Sequence, residues 1–375
     1  PYTTDMQFES PHGILIDAIL AVERVSGKHM ALPVLQCVLV EAKKTGVTFR
    51  ATNLELGVER VIAAKVTEEG VVAVPASVLA STITNARGTT PVSISTNPTT
   101  LTVVADGGRA VIKLQPHDDF PSLPAPVSGV AALVPAPLLA RLLRSVMYAA
   151  SASTIKPELA SVMLTMRDGS LVAAATDSFR LAEKVTPISG AATVPTVLIP
   201  AKSVADVVRT LEEAGNDEIR LLADDHQLLI TTSKGYVTSR LIEGSFPDYQ
   251  KIIPKQFTSQ FTALKGDVLH ILKKASVFSD KFNQVTLRSG DDMQSVELTT
   301  QNPDVGELSE TLPGAVSGEA FSISFNLRYI ADAFQSIPED SNNFALSGAG
   351  KPMEIHGAGD TTITYLVMPM NRKIL

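Results

Sequence analysis

The feature that most constrains this 375-residue chain is that it repeats itself three times. FRATNLELGVERVIAAKV from Phe49, AAATDSFRLAEKVTPI from Ala173 and ELTTQNPDVGELSETL from Glu297 each read as a strand, a turn of Thr with Asx or Gln, and a second strand. The matching threonines are Thr52, Thr176 and Thr300, a step of 124 residues taken twice. Self-similarity at a fixed period marks one structural unit used again. Any fold for this chain must therefore be a fold of about 120 residues that tolerates two copies of itself as neighbours.

The flanking segments keep the same period. VVAVPASVLASTITNA, TVLIPAKSVADVVRTLEEA and FSISFNLRYIADAFQSI each pass from a strand into a helix, with Pro75, Pro200 and Asn326 at the junctions. Proline suits the first helical turn, where its missing N–H costs nothing, and Asn is a good N-cap. An earlier amphipathic helix opens each unit: ILIDAILAVERV, APLLARLLRSVMYAA and KGDVLHILKKASVF, with apolar residues at i, i+3, i+4. Strand pairs close each unit, turning at Asp106-Gly107, Lys234-Gly235 and Gly359-Asp360. Two helices and about eight strands per unit give an α+β layer arrangement. The linkers are PHDDFPSLPAPVSG from Pro116 and SFPDYQKIIPKQ from Ser245, which places the domains at 1–126, 127–254 and 255–375.

Composition excludes more than it selects. Apolar residues at 45% and charged residues at 19% are those of an ordinary globular protein. No apolar run approaches 18 residues and no basic-apolar leader is visible, so neither a spanning helix nor secretion is expected. A single cysteine, Cys37 in VLQCVLV, forms no internal disulfide and reads as a core residue in a reducing cytoplasm. No His or Cys pair among the six histidines stands at metal-ligand spacing, so no metal and no cofactor is expected. GxSxG and a strand-following GxGxxG are absent. GAGKP at Gly348 fails as a phosphate loop: Ala345 stands where the first glycine belongs and Pro352 where the Ser/Thr belongs. The acid pairs Asp118-Asp119, Asp224-Asp225 and Asp291-Asp292 read as solvated turn residues. The expectation is a binding protein without an active site.

The formal charge of −7 argues against a polyanion partner, but totals do not locate charge. The first helices and their exits carry Arg24, Lys28, Arg141, Arg144, Lys273, Lys274 and Lys281, and the second helices Arg87, Lys202, Arg209 and Arg328, with acids interspersed. Two readings fit: solvated helix faces with i,i+4 pairs, or one surface kept positive for a polyanion.

ATDSFRLAEK, EGSFPDYQKIIP, FNLRYI and YLVMPM, with LPVLQCVLVEA near Leu32, resemble in order and spacing the motifs of the bacterial DNA polymerase III beta subunit, the sliding clamp. The resemblance runs nearly end to end. It implies a head-to-tail homodimer of three-domain subunits closed into a ring, helices lining the hole and sheets outside. Such a ring is non-catalytic. It encircles duplex DNA without reading sequence and tethers the replicative polymerase alpha subunit, the clamp loader, repair polymerases and mismatch-repair proteins in the cytoplasm, at the nucleoid. The partners' short hydrophobic peptides would enter a groove at Leu159, Thr176, Ser178, Phe179, Arg180, Leu181, Pro247, Lys251, Ile252, Asn326, Tyr329, Pro352, Val367, Met368, Pro369 and Met370. Flexible methionines suit a groove with several ligands.

The family often has Gly-His where this chain has Ser178-Phe179, and it commonly ends sooner after Met-Pro-Met than this chain, which continues to Leu375. For DNA, the resemblance implies the loop at Lys28 and His29, Lys156, and the helix cations Lys202 and Arg209, alongside Arg24, Arg141 and Arg144 from the charge pattern. At the family's DNA-facing tyrosine pair this chain has Pro157-Glu158. The subunit seam implied is the strand Arg109–Lys113, with Ile112, against Asp304, Glu307 and Glu310 of the other subunit, with Val277 and Phe278 beneath. Three rivals are an enzyme using the same groove, a specialised or accessory clamp copy, and a peptide-binding scaffold that does not encircle DNA.

Overall fold

The computed structural model describes residues 5–27, 32–88, 90–123, 130–188 and 194–370. Six α-helices stand among them: α1 (His12–Glu23), α2 (Ala76–Thr84), α3 (Ala136–Arg144), α4 (Ala201–Glu213), α5 (Lys265–Phe278) and α6 (Leu327–Asp332). Strands in the three expected segments number nine, eight and nine among the described residues.

By contact the chain forms two compact units, Pro1–Ala140 with Ala191–Leu241 and Arg141–Gly190 with Ile242–Leu375. The sheets explain why there are two units and not three. In the first unit one sheet runs Val130–Pro135, Glu218–Ala223, Gln227–Thr232, Gly235–Arg240, Leu56–Ile62, Gly46–Thr52, Cys37–Lys43 and Gly70–Pro75. Strands from the first and second repeats hydrogen-bond directly, Val237 opposite Val58. In the second unit the order Ser161–Arg167, Ser170–Thr176, Arg180–Pro187, Ile363–Val367, Met353–Gly357, Ser341–Leu346, Ser259–Leu264 and Val316–Gly318 joins the second repeat to the third, Ala182 opposite Tyr365. The middle repeat is thus divided between two continuous sheets.

Each unit has one further sheet. In the first it runs Lys65–Glu68, Gln7–Ser10, Val92–Thr96, Thr100–Ala105 and Gly108–Lys113, so Gly108–Lys113 is a free edge. In the second it runs Gly306–Pro313, Ser295–Asn302, Gln284–Ser289 and Ser322–Asn326, so Gly306–Pro313 is a free edge. The hairpin leading into Gly108–Lys113 turns at Asp106 (φ 52°) and Gly107 (φ 77°). Positive φ at both central residues is the turn geometry that matches strand twist, and Asp-Gly adopts it readily.

The helices bury the stripes expected of them. α1 buries Leu15, Ala18, Ile19, Ala21 and Val22 against α2 and the strands Gly46–Thr52 and Leu56–Ile62. α5 buries Val268, Ile271, Leu272 and Ala275 against α6 and the strands Ser295–Asn302 and Gly306–Pro313. Fully burying one such Leu, Ile or Val contributes about 1.5–3 kcal/mol. Cys37 is a core residue, its thiol pushed up to about 11 by burial.

Three expectations change in detail. Pro75 and Pro200 are N-caps with extended ψ of 116° and 128°, not first-turn residues. The third junction is capped by the Asn326 side chain, which accepts from Arg328 N at 2.9 Å. The helix expected through Ala150 ends at Arg144, where the Ser145 hydroxyl donates back to Arg141 O, and a 3₁₀ turn Met147–Ala149 follows. Thr300 does not open its turn. Its strand continues to Asn302, whose side chain accepts from Asp304 N, and the Thr300 hydroxyl donates to Gln284 O.

Candidate functional site

The turn after Thr176 is fixed by its own side chains. The Thr176 hydroxyl donates to Arg180 O at 2.6 Å and accepts from Ser178 N at 3.1 Å. Asp177 Oδ1 accepts from Phe179 N at 2.9 Å and Arg180 N at 3.0 Å. This geometry holds Ser178 at φ 78°, a left-handed conformation that costs a non-glycine residue about 1–2 kcal/mol. The physics accounts for a glycine preference at this position. The turn leaves Phe179 61% exposed.

Behind the turn, Arg180 is a hub. Its guanidinium donates to Asp177 Oδ2 at 3.1 Å, to Tyr148 O at 2.7 Å and to Asp332 Oδ2, and it lies 4.7 Å from the centre of the Tyr329 ring. Burial works against its charge, but Tyr365, Asp177 and Asp332 more than offset that, so its pKa lies above the ordinary guanidinium value. The fully buried Tyr365 donates its hydroxyl to Tyr329 O at 2.8 Å, and desolvation pushes its own pKa well up. Tyr148 shares a 2.6 Å hydrogen bond with Ser336. One cation thus ties together the 176–180 turn, the 3₁₀ turn at Tyr148 and α6.

The chain end is fastened to the same place. Arg180 stands opposite Val367, and Leu181 opposite Leu366. Beyond the strand, Met368 N donates to Phe179 O and Met370 N to Ser324 O, both at 2.8 Å. Met368, Pro369 and Met370 are therefore held, half-exposed, between the turn and the strand that leads into α6. The linker carrying Pro247, Lys251 and Ile252 is anchored through Tyr249, whose hydroxyl donates to buried Glu183, which also accepts from Arg167 at 3.0 Å. Ile252 is 46% exposed, and Lys251 pairs with Asp248 at 2.7 Å.

The expected groove residues accordingly divide. Phe179, Pro247, Lys251, Ile252, Met368, Pro369 and Met370 offer surface, with Ser178, Asn326 and Tyr329 beside them. Leu159, Thr176, Leu181, Pro352 and Val367 are buried within the chain and offer little surface of their own. Tyr148, Asp177, Asp332 and Tyr365 were not singled out in the sequence. Asp177 was legible as an Asx turn residue in ATDSFR, but the others are brought in only by long-range folding.

The cationic residues are more engaged than their count suggested. Arg24 pairs with Glu213 at 2.6 Å, and Glu213 also accepts from buried Arg60 at 2.6 Å. With Lys234 they line a cleft of about 520 Å³ beside Ile14 and Val61. Lys202 pairs with Glu55, and Arg209 with Asp206 at 3.2 Å. Arg141, Arg144 and Lys156 are exposed. Lys28 and His29, like residues 371–375, lie outside the described residues.

Among the described residues both strands expected at the subunit seam are sheet edges with one neighbouring strand each. Arg109 and Lys113 are exposed, as are Asp304, Glu307 and Val277, with Phe278 half-buried. Two assignments change. Ile112 is 5% exposed and faces its own sheet's core, whereas Val111, at 53%, offers the apolar surface of that edge. Glu310 is already paired with Lys274 of its own chain. Among the described residues no group of three or more His, Cys, Asp or Glu could hold a metal ion, and no helix is long and apolar enough to cross a membrane.

Residues 6–124, 133–248 and 250–371 match models of the N-terminal, central and C-terminal domains of the DNA polymerase III beta subunit. The chain is 30% identical to a beta sliding clamp of Synechococcus elongatus over 90% of its length and 92% of that protein. It is 25% identical to a beta sliding clamp of Staphylococcus aureus over 97% and 99%. In fold it is similar to the Thermotoga maritima DNA polymerase III beta subunit (TM-score 0.92, 23% identity, 98% and 99% covered). It is also similar to a Pseudomonas aeruginosa sliding clamp solved with griselimycin bound (TM-score 0.91, 23% identity, 98% and 100% covered).

Proposed function

Because this chain belongs to the DNA polymerase III beta subunit family, we infer that it is a DNA sliding clamp, a non-catalytic processivity subunit that holds a polymerase on its template. The full-length match to all three domain models carries this reading. Its finer features are proposed as follows. The repeats divide at 1–126, 127–254 and 255–375. Two subunits close head to tail, the Gly108–Lys113 edge of one pairing with the Gly306–Pro313 edge of the other. An exposed edge strand invites such pairing, and closure removes it as an aggregation hazard. Arg109 and Lys113 then face Asp304 and Glu307, and Val111 meets the apolar surface of Val277 and Phe278.

Duplex DNA passes through the ring, attracted by helix cations that make phosphate contacts without reading bases, so the ring slides. The exposed cations Arg141, Arg144 and Lys156 supply this attraction together with Arg24, Lys202 and Arg209, whose fields are softened by acid partners. Hydrophobic peptides of the polymerase, the loader and repair proteins dock on Phe179, Ile252, Met368 and Met370. The rigid hydrogen-bonded frame around Arg180 favours this, because a preformed surface spares the ordering cost of binding. The test is a primer-extension assay on a long circular template with the cognate polymerase and loader. Adding this chain lengthens the products per binding event, and an excess of a free hydrophobic partner peptide shortens them again. Unchanged product lengths would count against the reading.

A further inference from the structure

The 124-residue repeat reproduces the groove turn in the first repeat, bond for bond. The Thr52 hydroxyl donates to Leu56 O at 2.9 Å and accepts from Leu54 N at 3.0 Å. Asn53 Oδ1 accepts from Glu55 N at 3.0 Å and Leu56 N at 2.8 Å. Leu54 is held at φ 74°, against 78° for Ser178. Leu56 stands opposite Ser239, as Arg180 stands opposite Val367. Arg240 N donates to Glu55 O at 2.8 Å, as Met368 N donates to Phe179 O at 2.8 Å. Both copies put a cation two residues past the strand-to-helix junction, Lys202 after Pro200 and Arg328 after Asn326.

The floors are alike in chemistry too. Buried Leu181 supports one. In the other, Gly57 occupies the corresponding position, and a Cβ there would lie 2.9 Å from Leu123 Cδ2 of the chain's own linker, so a leucine side chain again fills the space. The copies part at the rim. Where the second presents Phe179 and Met368, the first presents Glu55 and Arg240, with Glu55 paired to Lys202.

We propose that Glu55 and Arg240 are specificity-determining residues that confine hydrophobic peptide docking to the Thr176–Leu181 copy of the surface. The inference rests on the groove reading above. Exposed ion pairs hold little energy, so the Glu55–Lys202 bridge is not a lock. The exclusion comes from desolvation: a hydrophobic peptide laid over Glu55 and Arg240 would strip water from charges and return no hydrogen bonds. Over Phe179 and Met368 the same peptide removes apolar surface from water. Discrimination here is a penalty built against the wrong surface as much as an attraction to the right one.

The chain has no tryptophan, so a short peptide of leucine, tryptophan and polar spacers can be followed by its own emission during titration of the full-length protein. Wild type binds one equivalent per chain. The rim swap Phe179→Glu with Met368→Arg binds none. The reverse swap, Glu55→Phe with Arg240→Met, binds two, the second no more than about a hundredfold weaker than the first. The altered residues are exposed (Phe179, Arg240) or half-exposed (Glu55, Met368), and circular dichroism with a melting curve establishes folding; single substitutions replace any double variant that misfolds. Two equivalents on wild type, or one on a folded Glu55→Phe/Arg240→Met variant, overturns this inference and leaves the groove reading standing. Wild-type binding that the Phe179→Glu/Met368→Arg swap does not diminish, or no binding at all, overturns both.

Discussion

Replacing Arg180 by Ala tests whether the docking surface is a frame held by one cation. The guanidinium donates to Asp177, Asp332 and Tyr148 O and covers Tyr329, with only 11% of the side chain exposed. Removing one member of a buried ion pair costs about 3–5 kcal/mol because the remaining charge is stranded. Two facts lower that figure. Asp177 keeps its bonds to Phe179 N and Arg180 N, and Asp332 is 32% exposed and can take water. About 3 kcal/mol remains, including roughly 0.5–1 kcal/mol of cation–π contact. For a cooperative unit of this size each kcal/mol moves the midpoint by roughly 2–4 °C, so calorimetry should show a fall of roughly 6–12 °C. Arg180→Lys keeps the charge but not the planar fork and recovers only part of the loss. Arg209→Ala, which breaks an exposed i,i+3 pair, is the control and costs less than about 0.5 kcal/mol. If Arg180→Ala melts no lower than Arg209→Ala, the hub argument is wrong. The same variant should weaken docking of the tryptophan peptide, since the 176–180 turn loses its anchor to Tyr148 and α6.

Three further outcomes are expected. Ser178→Gly relieves left-handed strain of about 1–2 kcal/mol against an unfolded-state entropy cost of about 0.5–1 kcal/mol, so chemical denaturation should show a small net stabilisation. Burial raises the Glu213 carboxyl, but hydrogen bonds and charges from Arg60 and Arg24 outweigh it and leave the pKa below its ordinary 4.5. The contribution of Glu213 to stability is therefore complete above the ordinary value and lost as pH falls through the depressed one; Glu213→Gln should be less stable at pH 7, and urea midpoints against pH should show the difference shrinking in acid. Arg109→Glu places a like charge opposite Asp304 and Glu307 at the proposed seam, and sedimentation at low protein concentration should show it as monomer where wild type is dimer.

The repeat, the paired helices and the hairpin turns were legible because they rest on local chemistry. Asp-Gly turns, apolar spacing and Thr-Asx signals act within a few residues, and the first two turns obey them. The third turn escaped because Thr300 finds a better partner in Gln284 O across the sheet, which lets its strand run on to Asn302. The exposed or half-exposed side chains of the proposed groove, Phe179, Met368 and Met370, stand out in the sequence, but the frame that holds them does not. Arg180 meets Tyr148 32 residues away and Asp332 152 residues away, distances over which no local pattern carries information. Charge was the least legible property. A count of helix cations does not reveal that Arg24 and Arg60 share Glu213, 189 and 153 residues distant. Side-chain direction at an edge also needs the register: Ile112 and Val111 are equivalent in composition, yet the pleat turns one inward and the other out.

Retention on DNA tests the ring most directly. The protein is placed by its cognate loader on a nicked circular duplex, separated from free protein, and followed after the circle is cut once. Topological attachment predicts long residence on the intact circle at moderate salt and rapid loss after the cut. Equal dissociation from circle and linear duplex would mean that this chain holds DNA by surface attraction alone, and the account of a closed two-subunit clamp would be contradicted.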